Sequence, residues 1–162
     1  MWVSKNSGLD SWKKIPNSKI AGSIQDFAVA DTDTVYALDS ATGQGVSKTT
    51  NAGASWGETK EPTDKTVLGS YMIYLAPGGD IYYGDSAGYI CYSRDGGATF
   101  TRGSDYGSLP SNAGIQITAD PDYETNGLIY AGVGTDVKRG KYAGSPTTIH
   151  DTLPYPVTGI AA

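Results

Sequence analysis

One short pattern returns along this chain at a fixed step, and it restricts the fold more than any other feature. Val46 to Trp56 reads VSKTTNAGASW, and Ile90 to Phe100 reads ICYSRDGGATF. In register, Thr49 matches Ser93, Asn51 matches Asp95, Gly53 matches Gly97, Ser55 matches Thr99 and Trp56 matches Phe100. The step is 44 residues, and the same step backwards lands on Trp12. Upstream of Trp12, the stretch SKNSGLDS keeps Ser4, Asn6 and Gly8 but carries one extra residue before its second hydroxyl, so this copy is degenerate. A fixed period of this length marks a structural unit that buries its apolar faces against its neighbours.

The register extends beyond the boxes. Apolar runs at 27–30, 71–74 and 115–118 open three units, and a loop then leads to a second run at 34–37, 80–83 and 128–131. Each unit predicts four short strands: an opening strand, a second, a third that runs into the box and a fourth that leaves from the aromatic. Composition agrees, with 22 glycines and 12 tyrosines against two phenylalanines and two methionines, which suits strands and tight turns. Four strands in one period is the size of a propeller blade.

The predicted fold is all-β, a β-propeller or propeller segment of about four four-stranded blades. A chain of 162 residues is one domain at this size. The units are a partial blade over 1–18, blades over 19–62 and 63–106, a divergent blade over 107–153 without a box, and the opening strand of a further blade over 154–162.

The residue types in the box follow from turn chemistry. A tight hairpin turn needs glycine where φ is positive, and an Asx side chain accepts hydrogen bonds from backbone N–H groups a few residues on. Asn51 and Asp95 are predicted to do this, with Gly53 and Gly97 supplying the permissive backbone. The hydroxyls of Thr49, Ser55, Ser93 and Thr99 add further bonds, and Trp56 and Phe100 turn inward between sheets. Asn51 stands where Asp95 stands, so the position does not require a charge.

The pattern Ser/Thr-x-Asp/Asn-x-Gly-x-Ser/Thr-Trp/Phe resembles the Asp-box, or bacterial neuraminidase repeat. That repeat occurs in the β-propellers of sialidases, sortilin-type receptors, some glycoside hydrolases and photosystem assembly factors. In character the chain is most similar to repeat proteins of exported microbial envelopes, through stretches such as ADPDYETNGLIYAG (119–132). The resemblance implies a propeller. It does not imply sialidase activity, because that family uses an arginine triad and an Arg-Ile-Pro motif. This chain has only Arg94, Arg102 and Arg139, and lacks the motif.

Other functional classes find little support. Net charge is −5 and no basic run exceeds Lys13-Lys14, so a nucleic-acid footprint is not expected. Cys91 is the only cysteine, which rules out an internal disulfide and any cysteine-based metal spacing. Met1 to Lys5 has no signal-peptide pattern, and no apolar run is long enough to span a membrane as a helix. If the parent protein is exported, its address is not in this chain.

Among carboxylates, Asp26, Asp80, Asp85, Asp120, Asp122 and Glu124 are candidates in number only, since no spacing singles out a glycosidase pair. Asp120 to Gly127 gathers acids and an asparagine, which ordinary turn chemistry explains better than calcium ligation. His150 and Asp151 are neighbours on an extended chain, so their side chains point apart. Cys91 aligns with Ser47 and reads as a buried strand position. Tyr82, Tyr83, Tyr89 and Tyr92 are the candidate glycan-stacking cluster.

The expectation is therefore a non-catalytic structural or interaction module of an exported, cell-surface microbial protein. No catalytic residue, metal or cofactor is assigned. The expected partner is a protein, or a second copy meeting it through open blade edges. Two alternatives stand beside it: a fragment of a glycan-binding or glycan-hydrolysing propeller, and an assembly-factor-like propeller that binds protein.

Overall fold

Where a sheet is covered on one face its strands alternate apolar and polar residues, and where it is covered on both they become continuously buried. Both situations occur here. A computed structural model of the chain describes residues 2–3, 13–14, 23–39, 45–63, 72–85, 87–107, 114–150 and 153–161. Ser4, Asn6, Gly8 and Trp12, and with them the degenerate box, lie outside the described residues.

The first strands are β1 (Trp2–Val3) and β2 (Lys13–Lys14), which pair antiparallel. Sheet A follows, built from β3 (Ile24–Val29), β4 (Val35–Asp39) and β5 (Val46–Thr49). Sheet B contains β6 (Ile73–Leu75), β7 (Ile81–Gly84), β8 (Tyr89–Ser93) and β9 (Thr101–Asp105). Sheet C contains β10 (Gln116–Ala119), β11 (Ile129–Val133), β12 (Asp136–Gly140) and β13 (Thr147–His150). A short helix α1 (Tyr123–Asn126) sits in the β10–β11 loop. Every sheet is an antiparallel meander in chain order, and successive sheets stack face to face. This is the architecture of a β-propeller segment, and the chain is all-β as predicted.

The registers repeat between sheets. Phe27 pairs with Ala37, Ile73 with Tyr83 and Ile117 with Ala131, and the next pairs are Ala28 with Tyr36, Tyr74 with Tyr82 and Thr118 with Tyr130. The pairing of Val3 with Lys13 and Trp2 with Lys14 matches that of Tyr92 with Thr101 and Cys91 with Arg102. Lys13 follows Trp12 as Thr101 follows Phe100, so β1 and β2 hold the third- and fourth-strand positions of a sheet preceding A.

Sheet B carries the core because it is covered twice. Side chains alternate along β7: Ile81 and Tyr83 join Tyr36, Leu38, Val46, Cys91 and Phe100 against sheet A, whereas Tyr82 joins Ile90, Ile117, Ile129 and Ala131 against sheet C. All four residues of β7 are buried. Burying each such side chain contributes about 1.5–3 kcal/mol, so the two interfaces dominate the stability of the arc. Polar groups fasten the same seams. Lys48 Nζ and Tyr36 Oη donate to the carbonyl of Gly96 in sheet B, and the Ile73 amide donates to Asp26 in sheet A.

Two segments differ from expectation. Within sheet A the fourth strand expected after Trp56 is reduced to one bridge, in which Val46 and Lys60 exchange both hydrogen bonds at 2.9 Å, while Pro62 makes a parallel bridge to Phe100 of sheet B. Pro62 has no N–H to continue the ladder. The opening strand expected over 154–162 forms no strand among the described residues. Pro154 and Pro156 remove two donors, and the contacts made instead are Leu153 N–H to Thr135 O and Val157 N–H to Gly134 O.

Candidate functional site

The two boxes adopt the same turn, with the same pairs of residues bonded in each. In the first, Thr49 Oγ1 donates to Asn51 Oδ1 at 2.9 Å while accepting from Gly53 N–H at 2.9 Å, and Ser55 N–H donates to Asn51 Oδ1 at 2.9 Å. In the second, Ser93 Oγ donates to Asp95 Oδ1 at 2.8 Å while accepting from Gly97 N–H at 2.9 Å, and Thr99 N–H donates to Asp95 Oδ1 at 3.0 Å. Gly53 and Gly97 take φ of 81° and 83°, conformations that side-chain-bearing residues rarely adopt. One bond reverses direction: Asn51 Nδ2 donates to Ser55 Oγ, whereas Thr99 Oγ1 donates to Asp95 Oδ2 at 2.6 Å. Trp56 and Phe100 close the two turns and are both buried.

These bonds hold the Asp95 carboxyl down at about 2, with the Thr99 hydroxyl the largest cause, followed by the Thr99 amide and the Ser93 hydroxyl. Because the folded value lies below the unfolded one, the stabilisation is complete above the unfolded value and is lost as pH falls toward 2. Asn51 shows that an amide fits the same turn. Asp95→Asn is therefore expected to fold and to lose less stability than the parent between about pH 4 and pH 2, as read from thermal melts across that range. Parallel curves for the two proteins would remove Asp95 from the acid response.

The four tyrosines do not form a sugar-stacking surface, which corrects that expectation. Tyr82 and Tyr83 have no exposed area, because sheets A and C cover sheet B from opposite sides. The remaining two are half-buried and already stacked. The Arg102 guanidinium lies 3.6 Å from the Tyr89 ring centroid, and the ring of Tyr92 is 4.9 Å from that of Tyr142.

The carboxylates are engaged in a similar way. Asp26 accepts from Ile73 N–H, and the fully buried Asp85 accepts from Ala87 and Tyr89 N–H groups and lies 3.4 Å from Arg102 Nε. Burial pushes Asp85 up from its ordinary value. Asp120 accepts from Asp122 N–H, Asn126 Nδ2 and Tyr130 Oη, with the Asn126 bond the largest cause of its lowered value. No group of three or more metal-type ligands occurs among the described residues. His150 is exposed on β13, Cys91 is buried on β8, and Asp151 lies outside the described residues.

A groove of about 530 Å³ opens between sheets B and C and is walled by Pro77, Asp80, Arg94, Glu124, Lys141 and Tyr142. A hydrogen-bond chain runs up from the core to its floor. Tyr82 Oη and Tyr123 Oη are 2.5 Å apart, and Tyr123 Oη donates to Asp80 Oδ2 at 2.6 Å. Arg94 Nε reaches the same oxygen at 3.3 Å, while Nη1 donates to Tyr142 Oη at 3.2 Å and the guanidinium stacks 4.8 Å from that ring. Asp80 is the main reason the Arg94 guanidinium is held even more firmly in its charged form.

Arg94 is thus an exposed cation fixed at two points, which presents a planar donor group in one orientation. Asp80 and Glu124 stood among the candidate carboxylates read from the sequence with no place assigned, and Arg94, Lys141 and Tyr142 were not expected here. The available signal was Arg94 at a box position whose side chain forms none of the turn's bonds.

No family model matches the chain, and no curated protein matches it. Among solved structures, one described as YCF48 bound to D1 peptide is similar, at 13% sequence identity and a TM-score of 0.37. The alignment covers 85% of this chain and 56% of that one, so the chain spans little more than half of its length.

Proposed function

We propose that this chain is a non-catalytic β-propeller module that binds a protein partner, within an exported microbial surface protein built from Asp-box repeats. The carrying observation is how its reactive side chains are used. Asp26, Asp80, Asp85, Asp95 and Asp120 each accept hydrogen bonds or ion pairs that hold turns, sheets or seams together. General acid–base chemistry needs a side chain placed for a substrate's proton, and these point at the protein itself. The groove between sheets B and C offers something different: a fixed guanidinium, an ammonium, a carboxylate and turn backbone in one concave surface. Such a mixture complements a peptide segment with its own carbonyls and charges. The Asp-box and surface-protein parts of the reading rest on the resemblance of the two boxes to repeats of exported proteins.

Panning a displayed peptide library against the chain, beside a glycan array and a glycosidase screen, tests this reading. The expected result is a set of peptides whose affinity drops about tenfold or more on Arg94→Ala. Specific glycan binding or glycoside turnover, with no peptide selected, would overturn it.

A further inference from the structure

Asn126 is the one asparagine of the chain that a glycine follows. In such a pair the glycine backbone nitrogen can attack the asparagine side-chain carbonyl carbon, because no side chain on the glycine obstructs ring closure. A C–N bond forms and ammonia leaves, and water then opens the cyclic imide to aspartate or isoaspartate. Water enters and ammonia leaves, so no further reagent is needed. Asp95-Gly96 is the corresponding acid pair. The Thr99 and Ser93 bonds hold its carboxyl in the charged form, and a carboxylate is a poor electrophile.

The fold keeps Asn126 from reacting while α1 is closed. Asn126 ends α1, and Gly127 caps it in the left-handed conformation, with φ 65° and ψ 22°. The Gly127 N–H, which ring closure must free, donates to Tyr123 O at 2.7 Å. The Asn126 side chain is fastened at both ends: Oδ1 accepts from Leu128 N–H and Nδ2 donates to Asp120 Oδ1, each at 2.8 Å. Ring closure therefore requires the last turn of α1 to open.

The product cannot remake this clasp. An aspartate at 126 sets an acceptor oxygen where Nδ2 donated, facing Asp120 Oδ1, and an isoaspartate also lengthens the backbone of the turn. Asp120 keeps its charge, because Tyr130 Oη and the Asp122 N–H still donate to it and Arg139 of β12 favours the ionised form. Like charges at hydrogen-bond distance repel, so α1 loses its tie to the end of β10. The same helix carries Tyr123, whose hydroxyl bonds Asp80 Oδ2, the oxygen that Arg94 Nε also reaches. Loosening α1 therefore loosens the support of the guanidinium in the groove.

We propose that Asn126 is a site of spontaneous deamidation gated by the opening of α1, and that its conversion unclasps α1 from Asp120 and loosens the groove between sheets B and C. Neither step depends on what the groove binds.

Peptide mapping by mass spectrometry follows the conversion at Asn126 in the 162-residue chain at mildly alkaline pH, folded and in urea. Conversion is expected in urea, and about tenfold or more slower in the folded chain. Asn126→Asp is expected to melt about 3 °C or more below the parent at neutral pH, with most of the difference gone at about pH 3, where the facing carboxyls can share a proton. The other charges of this neighbourhood, Asp122, Glu124 and Arg139, are common to both proteins. Hydrogen exchange at Gly127 and Leu128 is expected to quicken in the variant. Aged parent chain, separated by its added negative charge, serves the same comparison if the variant fails to fold. Equal conversion rates with and without urea, no conversion in urea, or an acidic form as stable and as protected as the parent would each overturn the proposal.

Discussion

Phe100→Ala is expected to destabilise the chain by about 3–5 kcal/mol, a large share of the 5–15 kcal/mol that holds a typical domain folded. Phe100 is 2% exposed, and its ring lies 5.6 Å from that of Tyr83 in the seam between sheets A and B. Truncation leaves a void walled by Tyr83 and its neighbours, which belong to two different sheets. Collapse would require one sheet to move against the other, and the hydrogen bonds from Tyr36 and Lys48 to Gly96 resist that movement. The melting temperature is expected to fall by roughly 6–20 °C. A drop below about 1 kcal/mol in urea unfolding would show that the seam repacks freely and that the box aromatic is not a structural anchor.

Gly84→Ala and Gly132→Ala form a matched pair with unequal outcomes. Neither glycine takes a positive φ, so only the added methyl group matters. At Gly84 it meets the Cβ of Ile115, which is fully buried between sheets B and C, so the backbone before β10 must shift. Overpacking of this kind costs about 1–3 kcal/mol. At Gly132 it meets Val157, in a segment tied to the loop after β11 by two backbone hydrogen bonds. That segment can lift, and the cost is expected to stay below about 1 kcal/mol. Equal losses in urea titrations would show the trailing segment packed as firmly as an internal sheet.

What the sequence made legible was whatever depends on neighbours in the chain. The turns at Asn51 and Asp95 are closed by residues two and four positions away, so their spacing alone revealed them. Strand order followed from the same period, because a meander needs no long-range information. The fate of Tyr82 and Tyr83 was hidden for a physical reason. A strand covered on both faces shows no alternation, and adjacent tyrosines read equally well as a surface cluster or as two cores. The groove at Arg94 was hidden as well, since Asp80, Tyr123 and Tyr142 lie 14, 29 and 48 positions away and meet only when sheets B and C stack. At the trailing end the apolar pattern of an opening strand was visible, but a strand exists only with a partner.

The interchange of asparagine and aspartate in otherwise identical turns has an evolutionary consequence. It lets surface charge vary while the architecture stays the same. Each repeat can gain or lose one negative charge at its exposed corner by a single substitution, with the same set of bonds satisfied either way. A protein made of such units could drift toward a more acidic or a more neutral exterior, adapting to saltier water or to a differently charged neighbour, one corner at a time.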